Sequence, residues 1–511
     1  VSETTGRPSP GLLAGRPPWL MPAILGAFAV AIRIPLVNAR GIWIDEAFTL
    51  YIARLPWREA VDQLRQTDPH PPLFYLLFRL WNRLGTDLTT VRGFSIFWGT
   101  LTVLATALLG IRVGGRTVGL SAGFLVAGSA LAIQTSVEAR MYSLLSFLVV
   151  AAAIFFIEAV RHPSSTLRWG GYALFIALAA YVDYFAWLVV AGHAAYVVLA
   201  ERGSQAVRLG FLLAVLAAVA AFVPWLPVTA EQLATGHFAT TWKGAMPVHA
   251  PLNMVALTGF GGYLIGLGGY LFPPSRNSVW QVILISPFLA LMWLGTLRRK
   301  GDRQPEGVLL VCTWIVPVLV LVGASIASGT HYAIPRYTGF LVPFFSLLVA
   351  RGLLRLRPRR FQHTGMIGVG LLVLLNLGIL GASVADPRYQ IFDWRGAASH
   401  VESRWQDGDA LVFYPAGGRM AFGYHFRRPV TNAVMLFTPW NPDIDRERWA
   451  STLPPVPALL RSAPRVWVIL TMPVARPAVE ALLAGLGREY RPVEERSFQQ
   501  VWVILFSKRR E

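Results

Sequence analysis

Residues 134–160 read QTSVEARMYSLLSFLVVAAAIFFIEAV, and this stretch decides the fold. From Met141 to Val160 it carries one charged side chain, Glu158. A helix of that length rises about 30 Å, which is the thickness of a bilayer's hydrocarbon core. Glu138 and Arg140 stand immediately before the run, where a charge is costly unless it is paired or used. The segment therefore reads as a membrane span with chemistry at its leading edge.

Similar runs recur on both sides. Apolar stretches at 19–38, 92–111, 117–136, 169–183, 185–200, 209–228, 278–297, 308–328, 334–353 and 363–383 join 141–160, giving an expectation of eleven transmembrane helices. Residues 251–273 are apolar too, but Gly261–Gly262 and Gly268–Gly269 loosen them, and they read as interfacial or re-entrant. The composition agrees. Hydrophobic residues make up 54% of the 511 and charged residues only 14%, about half the usual share of a soluble chain. A soluble enzyme, a disordered chain and a nucleic-acid binder are excluded. The single cysteine, Cys312, leaves no intramolecular disulfide and no cysteine-rich metal cluster; it reads as buried and inert.

Charge fixes the expected orientation. The net charge is +19. Residues 1–383 hold 29 basic and 14 acidic side chains, whereas 384–511 hold 17 and 13, so a membrane region gives way to a mixed, soluble-looking tail. With residues 1–18 cytoplasmic, the arginine-rich connections (Arg112 and Arg116, Arg161 and Arg168, Arg202 and Arg208, Arg298–Arg303, Arg351–Arg360) all fall inside. The sparse ones, with Arg140, Lys243, Arg276 and Arg336, fall outside. No cleavable signal peptide is expected. The reading is a multi-pass plasma-membrane protein: a cytoplasmic segment 1–18, a membrane domain 19–383 with a first outer loop 39–91, and an extracytoplasmic α/β domain 384–511.

The loop 39–91 is patterned. Trp57, Val61 and Leu64 recur at helical spacing after Pro56, and Leu73, Leu77, Leu80 and Leu84 form a second stripe after Pro71–Pro72. In the tail, 410–414, 465–471 and 500–506 read as buried strands, with helices near 395–405 and 476–487. No glycine-rich phosphate loop, internal repeat or coiled-coil heptad is evident.

The costly polar residues gather on one expected face. Asp45 and Glu46 follow the first span within Gly41-Ile42-Trp43-Ile44-Asp45-Glu46-Ala47-Phe48-Thr49. Asp68-Pro69-His70-Pro71-Pro72 holds His70 before a helix N-terminus, on backbone stiffened by proline. Glu138 and Arg140 come next and could simply pair with each other. Asp183–Tyr184 marks a tight turn, and Arg336–Tyr337 sits where the charge bias disfavours a cation, so that an anionic partner is called for. Carboxylates and guanidiniums beside lipid suit removal of an acceptor proton and stabilisation of a departing phosphate. A transporter or flippase of lipid-linked sugars is the alternative class. It would place its charges near the midplane of repeated, broken helices.

In the order and placement of these motifs the chain resembles the GT-C glycosyltransferases, of the type of the protein O-mannosyltransferases and the lipid A aminoarabinose transferase. The resemblance covers about residues 40–340. It implies a polytopic membrane enzyme that takes a sugar, mannose being one candidate, from a polyprenyl-phosphate donor. The acceptor hydroxyl would belong to a protein, lipid or glycan, at the outer face. It further implies Asp45 as general base with Glu46 in support. Arg140, Arg336 and His70 would bind donor phosphate, with Asp68, Glu138 and Tyr337 in the same site. The aminoarabinose transferases carry a lysine in the first outer loop. This loop has none, and the chain holds only Lys243, Lys300 and Lys508, so phosphate binding would rest on arginine and histidine. No cofactor is expected, a divalent metal being the less favoured alternative, and no nucleic-acid partner.

Overall fold

The computed structural model describes residues 17, 19–235, 277–297, 306–329, 332, 334–356, 364–385, 392–414, 417–428, 433–435, 463–471 and 476–509. The segment 251–273, Lys243, Arg276 and the basic residues 298–303 lie outside the described residues.

The first apolar run forms α1 (Leu20–Arg33) and ends in a 3₁₀ turn, Ile34–Leu36. Three short helices then fill the first large loop: α2 (Ile44–Arg54), α3 (Trp57–Thr67) and α4 (Leu73–Trp81). On α3 the expected stripe buries Leu64 but leaves Trp57 partly exposed. On α4 the expected leucine face is not the buried one. Leu80 and Leu84 are exposed, while Phe74, Tyr75 and Phe78 are buried. Phe74 stacks on Phe78 and both meet Phe94 edge-on, so aromatic packing sets the rotation of this helix.

Asp87 caps α5 (Leu88–Gly114), its carboxylate accepting from the Thr89 and Thr90 amides. The run expected as one span at 117–136 is two helices, α6 (Arg116–Gly128) and α7 (Ala130–Ser136), bent by 63°. Ser129 stands at the break: it takes an extended backbone, and its hydroxyl caps α7 at the Ala132 amide. Asn376, from a later helix, accepts from the freed Ala130 amide. A broken helix among apolar neighbours needs such replacement partners.

Next follow α8 (Tyr142–Arg161), α9 (Thr166–Ala180), α10 (Ala186–Ala200), α11 (Gln205–Phe222) and α12 (Leu226–Ala234). Then come α13 (Asn277–Thr296), α14 (Glu306–Ser328), a 3₁₀ segment Pro335–Leu341, α15 (Val342–Leu353) and α16 (Thr364–Ala385). Helix α5 packs on α6, α9 on α8, and α14 on α10. At the α5–α6 crossing Gly119 admits the backbone of α5. A Cβ there would lie 2.4 Å from the Ala107 carbonyl oxygen, so the two helices approach at a distance that only glycine allows. Five described helices are long and apolar enough to cross a membrane, or six if α6 and α7 form one bent span. Helices α9 and α10, at 15 residues each, are shorter than any of those five.

The tail is an α/β unit: α17 (Trp394–Arg404), β1 (Ala410–Tyr414), α18 (Gly418–His425), β2 (Ala433–Met435), β3 (Arg465–Thr471), α19 (Arg476–Gly487), β4 (Tyr490–Phe498) and β5 (Val501–Lys508). The strand order is β2-β1-β3-β5-β4, parallel from β2 to β3 and antiparallel beyond. β1 is buried throughout and β3 nearly so, which is why they read as unbroken apolar runs. β4 alternates exposed charges with few apolar residues, and its sequence gave no strand signal. Helix α18 packs on the sheet, Phe422 meeting Phe413 edge-on, and also against α2.

Candidate active site

Asp45 and Glu46 open α2, and as neighbours on a helix their side chains point about 100° apart. The structure gives them opposite surroundings. Glu46 is fully buried and gripped by Arg92, which is buried as well. Arg92 Nε donates to Glu46 Oε1 at 2.9 Å and Nη2 to Oε2 at 2.7 Å, a bidentate fork. The Ala139 amide adds a bond to Oε1 at 3.0 Å. Arg92 spends its remaining donors on the Val37, Arg40 and Gly41 carbonyls. Burial alone would raise the Glu46 carboxyl, but the Arg92 charge and hydrogen bonds outweigh it and hold the group below the usual carboxylate range. Asp45 is half-buried. Among the described residues its carboxylate makes no hydrogen bond or ion pair, yet it lies within electrostatic reach of Tyr75, Arg140, Tyr142, Arg336 and Tyr337.

A second acid anchors the opposite wall. Asp68 is buried and accepts from the His70 amide at 2.8 Å, from the His70 ring Nδ1, and from the Tyr75 hydroxyl at 2.6 Å. Arg140 Nη2 stands 3.7 Å from it and Arg140 Nη1 donates to Tyr75 at 3.0 Å. Burial would raise the Asp68 carboxyl; the adjacent His70, Arg140 and Tyr75 hold it well below the ordinary range instead. The Asp-Pro-His-Pro-Pro turn explains the local geometry, since it bends the chain so that a residue two positions on faces Asp68. His70 Nε2 also approaches the Asp183 carboxylate at 3.9 Å, drawing the α9–α10 turn into the cluster. Gln232 on α12 donates to the Asp68 carbonyl at 2.9 Å and pins the turn from outside.

Glu138 and Arg140 do not pair through their side chains. Glu138 binds Arg40, and both are almost wholly buried. Arg140 instead turns toward Asp68, Tyr75 and the Asp45 carbonyl. Arg336 lies over the Trp43 ring at 4.9 Å and the Tyr337 ring at 5.3 Å, and Tyr337 packs near Tyr142. Trp43 Nε1, Arg140 Nε and Glu138 Oε2, in this group, are buried without a hydrogen-bond partner among the described residues.

All eight residues expected from the sequence thus belong to one neighbourhood. Sequence reasoning missed Arg92, Arg40, Tyr75 and Trp43, and took Asp183 for a turn cap. Arg92 had a signal: it is an arginine at the first position of an apolar run, at the end where basic residues are scarce. Tyr75 had none, because it looked like one more apolar residue of α4. Among the described residues no group of three His, Cys, Asp or Glu side chains is arranged to hold a metal.

Residues 69–227 match the family described as dolichyl-phosphate-mannose-protein mannosyltransferase. No curated protein matches the chain by sequence. Among solved structures, ArnT from Cupriavidus metallidurans bound to undecaprenyl phosphate is similar at a TM-score of 0.64 and 13% identity, covering 96% of this chain and 98% of that one. The oligosaccharyltransferase of Archaeoglobus fulgidus, in complex with Zn and sulfate, matches at 0.53 and 12%, covering 88% and 68%. The archaeal oligosaccharyltransferase AglB from the same organism, with an inhibitory peptide and a dolichol-phosphate, matches at 0.51 and 12%, covering 96% and 74%.

Proposed function

We propose that the chain transfers a sugar from a polyprenyl-phosphate donor to an acceptor hydroxyl at the outer face of the plasma membrane. The reading starts from the fold, which is that of the GT-C glycosyltransferases of the ArnT and protein-mannosyltransferase type, a polytopic membrane architecture. In this reading the N-terminus is cytoplasmic, the bundle crosses eleven times and the α/β tail is extracytoplasmic. The single observation that supports it best is the division between the two adjacent acids. Glu46 has both oxygens committed to Arg92, whereas the Asp45 carboxylate is unengaged and faces Arg140 and Arg336.

The step follows from that division. Asp45 takes the proton of the acceptor hydroxyl, and the oxygen attacks the anomeric carbon. The bond from that carbon to the donor phosphate breaks, and the phosphate keeps the electron pair. Arg140 and Arg336 receive the phosphate charge, with His70 beside them. The unpartnered N–H groups of Arg140 and Trp43 are suited to an anion. Glu46 holds α2 in place and takes no part in proton transfer.

The A. fulgidus match was solved with Zn. Here the oxygens of Glu46 are taken by Arg92 and those of Asp68 by His70 and Tyr75, which leaves Asp45 and one oxygen of Glu138 open, and the described residues hold no group of three His, Cys, Asp or Glu for a metal. We assign transfer no metal step, and turnover should survive chelation. The test is to incubate purified protein with a panel of radiolabelled polyprenyl-phosphate sugars, mannose first, with and without EDTA. Release of polyprenyl phosphate is expected. Absence of release from every donor, with the labelled lipid instead crossing the bilayer intact, would support a flippase. Loss of release in EDTA, restored by Mg²⁺ or Mn²⁺, would overturn the metal-free step.

A further inference from the structure

The tail domain reaches the segment that feeds the two acids. Gly417 lies beside Ile44, a Cβ at Gly417 falling 3.6 Å from that side chain. At the other end of α18, His425 Nε2 accepts a hydrogen bond from the Ile42 amide at 3.3 Å. Tyr424 donates to the Thr86 carbonyl at 2.9 Å. Arg395 on α17 closes the contact: a Cβ at Gly41 would sit 3.7 Å from the Arg395 Cβ. From the membrane side, Arg92 holds the carbonyls of Arg40 and Gly41. Residues 40–44 are thus clamped between a buried arginine of α5 and a helix of the tail domain, and Asp45 is the next residue. Burial, with Arg395 and Arg92 nearby, pulls the His425 imidazole down to about 4, so near neutral pH its Nε2 is free to accept.

We propose that the tail domain is a working part of the active site, and that His425 is a positioning residue which sets the entry of α2 and hence the direction of the Asp45 carboxylate. This rests on the transfer activity proposed above, but part of its test needs no substrate. A carboxylate displaced by a fraction of an ångström loses its alignment with the acceptor hydroxyl while donor binding at Arg140 and Arg336 is untouched.

Two arms of the experiment use the full chain. In the first, Gly41→Cys and Arg395→Cys are combined with Cys312→Ser, and disulfide formation is followed in membranes without any donor. The Cβ separation matches a disulfide, so rapid cross-linking is expected. The new Cβ also meets the His425 ring at 3.2 Å, so this variant reads contact alone. In the second, the Ile42 amide should exchange hydrogen faster in His425→Ala than in wild type. Its kcat should fall about tenfold at unchanged donor KM, the size of one buried hydrogen bond. His425→Gln, which keeps an acceptor, should restore most of both. No cross-link, or unchanged Ile42 exchange in His425→Ala, would overturn the docking itself. Normal kcat with altered exchange would overturn its role in transfer. Cross-linking in the cysteine variant, together with no polyprenyl phosphate release from the wild type, would remove the transfer reading, and with it the catalytic half of this proposal.

Discussion

Arg92 and Arg112 stand on the same helix, α5, about 30 Å apart along its axis. Each pairs with a glutamate, yet the two pairs differ in kind. At the far end Arg112 meets Glu158 at 2.9 Å, with both side chains a quarter to a third exposed, and Arg161 ties Glu158 to Glu306. Arg112 and Glu158 form a solvent-open strut between helix ends, so breaking that pair lets water replace the lost partner, whereas Glu306 behind it is buried. At the site end Arg92 and Glu46 are both 0% exposed. Around them Asp68, Arg140, Glu138 and Arg40 are nearly as deeply buried, and Arg140 Nε and Glu138 Oε2 have no hydrogen-bond partner among the described residues. Charges are expensive there, so their retention asks for a function; at the other end they are cheap and need only be tolerated.

The comparison can be broken by substitution at either end. The largest effect on folding is expected for Arg92→Met, which leaves the Glu46 charge buried and unpaired. It should cost about 3–5 kcal/mol, read as loss of folded protein in detergent, with Arg92→Met/Glu46→Leu recovering much of it. Failure of the double variant to recover would mean that the carbonyl contacts of Arg92, not the ion pair, carry the effect.

Next comes Arg336→Ala. If Arg336 receives the donor phosphate, transfer should weaken by about 2–4 kcal/mol, with Arg336→Lys intermediate because it keeps charge but loses the planar fork. Normal kinetics in Arg336→Ala would shift that role to Arg140.

A smaller effect is expected from pH. The docked His425 protonates only near 4, pulled down by burial, Arg395 and Arg92 against the opposing charge of Glu46. A free imidazole protonates near 6.5. The released form therefore binds more protons in between, so docking is at full strength above about pH 6.5 and weakens as the pH falls toward 4. The thermal midpoint of wild type should drop relative to His425→Gln over that window; parallel curves would contradict it. Smallest of all is Glu158→Gln, expected to change stability by about 0–1 kcal/mol and to leave sugar transfer intact. A large loss of transfer would erase the distinction between the two ends.

Much of this was legible in the sequence, and unevenly so. The apolar runs at 92–111 and 141–160 became α5 and α8 because twenty apolar residues leave a chain few other choices. The strands at 410–414 and 465–471 were legible for the same reason. The break at Ser129 was not, since its cause is partly Asn376, more than two hundred residues away. The rotation of α4 was misread because leucines recur at helical spacing, while the phenylalanines win the contact with Phe94. In the site, every acid and arginine chosen for its cost as a buried charge came to the same place. The partners were not legible: Glu138 looked suited to Arg140, two positions on, but binds Arg40 across the fold. The asymmetry between Asp45 and Glu46 followed from helix geometry, but which of the two would be locked depended on Arg92.

The central claim is that Asp45 is the free acid of that pair and takes the acceptor proton. Asp45→Asn keeps the shape and loses the base. Polyprenyl phosphate release from a donor that the wild type uses should fall by about 10²–10⁴-fold while donor binding persists, and Glu46→Gln, where it folds, should cost less. Release by Asp45→Asn at the wild-type rate, or a greater loss in folded Glu46→Gln, would contradict the account.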